Sequence, residues 1–291
     1  MRGLAEFVMR GRWQALAVAV LGAGSLLFGW VSAAAIALVT LRKGLADGGW
    51  LVLWALLPAV LAAWISGDSG SVLLLLGTFF LAVVLRYSVS LSLAMIASVA
   101  VGAVSGLSLL AFSDAFLAEV VAVFGEVLTQ LEASIPVEEG AQVVLSRPTA
   151  LQVAGILAVG NAAVAVLSLL LGRWWQSLLY NPGGFAQEFQ ALRLSRTWLL
   201  LLLATALLFW SAGSEWVGWS AIAAVPLTAW GFALVHARAK LRGRGKGWLT
   251  GVYLLWLLID PAKFMLIGLV IADAWIDFRS RWQQSADNGA A

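Results

Sequence analysis

The stretch Thr149–Gly172 reads TALQVAGILAVGNAAVAVLSLLLG, 24 residues without one charged side chain. About 20 apolar residues in a helix cross the ~30 Å hydrocarbon core of a bilayer. In lipid, backbone groups must be satisfied inside the segment, and a run with no strand-like alternation does that as a helix. Composition extends this to the whole chain. The 291 residues are 62% hydrophobic and 11% charged, against about 25% charged in soluble domains. Mean hydropathy is +0.94. The expected fold class is all-α: one polytopic membrane bundle over 1–291.

Further apolar runs cover Gly49–Ser66, Ser71–Leu85, Ser88–Phe112, Thr197–Trp210 and Trp216–Val235. Two blocks, Gln14–Leu41 and Trp248–Ile276, are too long for one span. Breaking the first near Gly29-Trp30 and the last near Asp260-Pro261 makes about ten membrane segments with both termini inside, and two unbroken tilted blocks would make eight with both termini outside; the expected count is eight to ten, some short or broken. Orientation follows from charge. Arg2, Arg10, Arg12, Arg42 and Lys43 flank the first block, and Arg238, Lys240, Arg242, Arg244 and Lys246 crowd the 237–247 loop. The 113–148 stretch instead carries Asp114, Glu119, Glu126, Glu132, Glu138 and Glu139. Cytoplasmic loops favour Lys and Arg. Both termini and the basic loop are therefore expected in the cytoplasm of a bacterial inner membrane, and 113–148 outside. Leu117, Val120, Phe124, Val127 and Leu131 recur at three and four, so the first half of that loop reads as an amphipathic helix over the bundle mouth.

The function classes narrow by absence. There is no cysteine and a single histidine, His236. Thiolate metal sites, disulfides and a Cys nucleophile are excluded. No cofactor or metal is expected, and no nucleotide-binding G-x-x-x-x-G-K-[ST] loop or other enzyme motif occurs. The pI of ≈ 9.6 points to anionic lipid rather than nucleic acid, because the bases sit in short loops between spans. Sixteen Trp recur mostly near span ends, as an interfacial belt does.

Ionisable residues inside membrane segments are functional candidates by default. Arg86, Asp260, Lys263 and Asp273, with the polar Asn161, are the ligand-binding candidates. Asp260 stands out because broken helices build ligand or ion sites from freed backbone groups. Partner docking has two candidate elements. Ala15, Ala19 and Ala23 lie on one helix face, where small residues admit a close neighbour, either within the chain or on a partner. The second is Arg173–Arg196, RWWQSLLYNPGGFAQEFQALRLSR. Its Asn181-Pro182-Gly183-Gly184 turn breaks a helix, and Phe185, Phe189 and Leu192 line one face after it. It reads as a cytoplasmic, interfacial helix-turn-helix, either a connector lying on lipid or a docking element.

Leu41-Arg42-Lys43-Gly44-Leu45, Asn181–Phe185 with Glu188-Phe189, and Asp277-Phe278-Arg279 resemble the YybS-like bacterial membrane proteins, a family of unassigned function. That family is distantly similar to the substrate-binding S components of energy-coupling-factor (ECF) transporters. The resemblance implies a small-solute binding or transport module that works with partner subunits. In S components, alanines every fourth residue of the first helix pack on a partner, and Ala15, Ala19 and Ala23 match that pattern. The alternative is a membrane scaffold or regulator that recruits a partner through its cytoplasmic face. The expected associates are the bilayer, a membrane or cytoplasmic protein and a small ligand.

Overall fold

The computed structural model describes residues 1–25, 27–135 and 144–289. Glu138 and Glu139 lie outside the described residues. Helices are the only regular elements among the described residues.

After α1 (Arg2–Arg10), extended Gly11 turns the chain into α2 (Arg12–Ala23). α3 (Gly29–Lys43) folds back along α2 as a hairpin. The expected break in the first block thus spans the residues just before Gly29. Small residues hold the hairpin together. Ser32 Oγ donates to Ala19 O at 2.7 Å, and a Cβ on Gly22 would lie 3.0 Å from Ser32 Cβ. Ala15, Ala19 and Ala23 are buried here among α2, α3 and α4 (Leu45–Ser66). The alanine stripe is therefore filled by the chain's own helices and offers no surface for a partner.

α4 contains Pro58 and stops at Gly67, whose φ of 72° is left-handed. α5 (Gly70–Ser88) and α6 (Leu91–Phe112) follow, the latter capped by Ser90 Oγ at 3.2 Å from Leu93 N. α7 (Asp114–Ser134) is the amphipathic helix expected from its spacing. α8 (Ala150–Tyr180) is opened by a capping box of Thr149 and Gln152. Its 31 residues extend about 46 Å at 1.5 Å each, which exceeds the hydrocarbon core. α8 is the mast of the bundle, packing against α3, α5 and α6. At Gly172 a Cβ would meet Ala34 O at 2.8 Å, so glycine allows α3 and α8 to touch.

α9 (Gly184–Gln190) leads to α10 (Arg196–Ser211), then a 3-10 turn, α11 (Val217–Ser220), a second 3-10 turn and α12 (Ala224–Leu241). α13 (Lys246–Leu258) and α14 (Asp260–Ile276) meet at Ile259 with a bend of 113°. The break falls where expected, since Pro261 has no N–H to carry the helix across. α15 (Phe278–Gly289) ends the described chain.

Among the described residues, five helical runs are long and apolar enough to cross a membrane: α4, α5, α6, α8 and Ser214–Leu241, or six if the bent α13–α14 pair is one span. The chain is a helical membrane protein. The eight to ten segments read from sequence correspond to these five with the shorter α2, α3, α10, α13 and α14.

Charge sorts to the two ends. Every Lys and Arg except Arg147 and Lys263 belongs to the end where α1, α9 and α15 lie. Asp68, Asp114, Glu119, Glu126, Glu132 and Glu215 mark the opposite end. Two boundaries shift from the sequence reading. α12 carries Arg238 and Lys240, so the basic loop itself is only Arg242–Gly245. Arg173, Trp174, Trp175 and Tyr180 are the last turns of α8 rather than a separate interfacial helix, because nothing before Asn181 interrupts helical hydrogen bonding.

Candidate functional site

The turn after α8 is built by two residues. Ser177 Oγ donates to Asn181 O at 2.7 Å and accepts from Phe185 N at 3.1 Å. Gly183 takes φ 88°, the left-handed region that glycine enters without strain. This reversal lays α9 beside the end of α8, where Arg173 Nη2 meets Glu188 Oε2 at 2.7 Å. Phe185 and Phe189 stack obliquely with centroids 5.8 Å apart.

Between α8, α9, α12 and α13 a cleft of about 410 Å³ remains. Trp174, Leu178, Phe185 and Phe189 supply apolar wall. His236, Tyr253 and Gln190 form a polar edge. His236 Nε2 and Tyr253 Oη share a hydrogen bond of 2.7 Å, and the edge of one ring faces the other between His236 and Phe189, 5.5 Å away. Small-molecule sites are clefts of this size, mostly apolar, with a few convergent polar groups. Phe185, Phe189 and Gly183, read from sequence as docking residues, therefore line a cleft. Pro182 is exposed on the turn, Asn181 closes α8, and Gly184 lies tight against the Asn181 side chain.

The ligand candidates do not converge. Asn161 Nδ2 donates to Gly70 O at 3.1 Å and ties α8 to α5. Asp260 and Lys263 pair with each other at 2.6 Å on an exposed surface. Asn161 and Asp260 stand on α8 and α14, helices that pack in different parts of the bundle. Arg86 donates to Leu41 O at 2.6 Å and Thr40 O at 3.3 Å, satisfying the end of α3. Its charge serves a helix C-terminus, where cations are favoured. These four are structural ties rather than a binding constellation.

Asp273 is the exception, a fully buried carboxylate. Its Oδ2 accepts from Trp230 Nε1 at 3.1 Å, and its Oδ1 accepts from Phe278 N at 3.0 Å. Around it, Arg193 Nη1 pairs with Asp277 at 3.0 Å, Arg196 Nε donates to Ala274 O at 2.8 Å, and Arg279 Nη2 donates to Leu192 O at 2.8 Å. The hydrogen bond from Arg193 holds the Asp277 carboxyl below its ordinary range. Burial lowers the Arg279 guanidinium, which the nearby Asp273 charge partly opposes. Arg193 and Arg196 clasp the start of α10 to the end of α14, Trp230 ties α12 to it, and Arg279 of α15 closes back on Leu192. It is a latch within the fold, in which most polar groups pair with one another and Arg279 Nε is left without a hydrogen bond.

The cleft was not read from sequence. His236 was visible as the lone histidine, but its partner Tyr253 lies across the α12–α13 turn, and only helix packing brings the two together. Among the described residues no three His, Cys, Asp or Glu side chains group as a metal site would need. Compared with protein-family models, curated proteins and solved structures, the chain finds no match.

Proposed function

We propose that this chain is a small-molecule binding module of a bacterial inner membrane, with its basic end in the cytoplasm and the cleft beneath α9 as its site. The observation that carries the reading is the cleft's make-up: aromatic walls from Trp174, Phe185 and Phe189 facing the His236–Tyr253 polar edge. That lining suits a ring-bearing or otherwise amphiphilic solute with one hydrogen-bonding group. The asymmetry of Lys and Arg supports the orientation. The resemblance to YybS-like proteins and S components supports a role with partner subunits. Movement of the solute would draw energy from such a partner, because the chain carries no nucleotide-binding loop.

A second reading, recruitment of a partner protein through the same face, is favoured by α9. None of its seven residues is buried, and it packs on α12, whose end leads into the exposed Arg242–Gly245 loop. A photoactivatable amino acid at Phe189 separates the two. Irradiation in native membranes is expected to attach a small molecule to the chain. A cross-linked protein would favour the second reading, and lipid adducts alone would overturn both.

A further inference from the structure

α7 packs on the bundle with only part of its apolar face. Leu117 is buried, and Phe116, Val120 and Val121 lean on the cluster formed by α6, α8 and α11. Val123, Phe124, Val127 and Leu131 remain about half exposed. Counted at 100° per residue, the apolar stripe contains no acid. Glu119 and Glu126 border it on one side, and Asp114 and Glu132 on the other.

Two anchors fix the rotation and height of this helix. Ser113 Oγ meets Ser69 Oγ at 3.1 Å, which sets the start of α7 at the level where α4 turns into α5. At its far end, Arg147 Nη1 binds Glu132 Oε1 at 2.9 Å, and its Nη2 donates to Thr129 Oγ1 at 2.8 Å. The returning chain is thereby tied to the polar side of α7 near its C-terminal end. The bare part of the stripe, with Glu119 at its border, walls a groove of about 600 Å³ whose other wall is Ile65 and Ser66 of α4. Trp64, Ile65 and Phe112, at the ends of α4 and α6, are largely exposed beside it. α4 and α6 are runs long and apolar enough to span, so the apolar surface of α7 is continuous with the exposed apolar ends of two spans.

We infer that α7 lies in the bilayer surface as an interfacial helix, with Phe124, Val127 and Leu131 among the acyl chains and its acids at headgroup level. Amphipathic helices with this division lie in the interface plane with the apolar face sunk ~5–10 Å. Here attraction to anionic lipid plays no part, because the borders are acidic. The helix is held instead by the spans at either end and by its apolar side chains. The occupant of the groove is lipid of that leaflet.

The chain has no cysteine, which makes single-cysteine spin labelling clean. Phe124→Cys, Val127→Cys and, on the opposite face, Ala122→Cys change only exposed positions. In phosphatidylethanolamine–phosphatidylglycerol vesicles, labels at 124 and 127 are expected to be several-fold more accessible to oxygen than to a water-soluble nickel complex. The label at 122 should show the reverse. Equal nickel access at 122, 124 and 127 would place the stripe in water and overturn the inference. Spin–spin broadening, or an intermolecular disulfide through Val127→Cys, would give the face to a second copy and overturn it equally.

Discussion

His236 Nε2 stands 2.7 Å from Tyr253 Oη, a bond that joins α12 to α13 and forms the polar edge of the cleft. Tyr253→Phe deletes one hydroxyl and leaves the ring contact with Phe232, 4.6 Å between centroids, in place. A single hydrogen bond contributes about 1 kcal/mol net, so the thermal midpoint should move little. Solute retention should fall more than stability does, because His236 loses the partner that orients it. Parallel melting and ligand-retention measurements on the purified variant check this split.

Asp273 is expected to behave differently. Its carboxylate is fully buried and accepts from both Trp230 and Phe278. Asp273→Ala leaves two donors unpaired and removes the charge beside Arg279, so a loss of about 3 kcal/mol or more follows. Trp230→Phe removes only one donor, although Asp273 then loses an acceptor's partner, and should cost less. Chemical denaturation in detergent micelles ranks the two. Equal losses would contradict the latch described for Asp273.

The segment before α8 supplies a pH prediction. The side-chain hydrogen bond from Arg147 is the main cause that holds the Glu132 carboxyl down, to about 2 against an ordinary 4.5. A depressed carboxyl pKa stabilises the fold fully above the unfolded value, and the contribution fades as pH falls through the folded one. The clasp should therefore hold above about pH 4.5 and release as pH falls toward about 2. Leu145 N donates to Glu132 Oε1 at 2.7 Å, so hydrogen exchange at Leu145, corrected for intrinsic rate, reports it. Glu132→Gln should remove the pH dependence and weaken the protection, because its amide oxygen still accepts from Leu145 N but without the charge.

Two glycines predict opposite kinds of damage. Gly172→Val forces a side chain against Ala34 O and Ala37 Cβ, each 2.8 Å from the added Cβ. The α3–α8 seam cannot yield there without moving backbone, so folding yield in membranes should collapse. Gly183→Val meets open space but must hold φ 88°, a strain of about 1–3 kcal/mol. Assembly should survive it, while the α9 turn and solute retention suffer. Unchanged retention in Gly183→Val would make the turn a mere connector.

Much of the architecture was legible in the residues themselves. Uncharged runs such as Thr149–Gly172 announce helices, and Asp260-Pro261 announces a break that the 113° bend reproduces. The end of α8 is less legible because Arg173, Trp174 and Trp175 resemble an interface, whereas helix continuation depends only on the absence of a breaker before Asn181. The roles of Arg86, Asn161 and the alanine stripe were hidden for another reason. Each is settled by a partner 10 to 90 or so residues away, such as Leu41 O for Arg86 and Gly70 O for Asn161. Local pattern flags a polar residue in an apolar helix, but only packing says whether it faces a ligand or a neighbouring carbonyl.

Native mass spectrometry of the detergent-solubilised chain tests the cleft most directly. Ala186 lines the cleft and is exposed at its mouth, so Ala186→Trp should fill the space without disturbing the core. The wild-type chain is expected to carry a small-molecule adduct that Ala186→Trp lacks, with equal melting temperatures once the adduct has been stripped from the wild type. A wild-type chain purified from its native membrane without any adduct, or an adduct kept in full by Ala186→Trp, would contradict a binding site beneath α9.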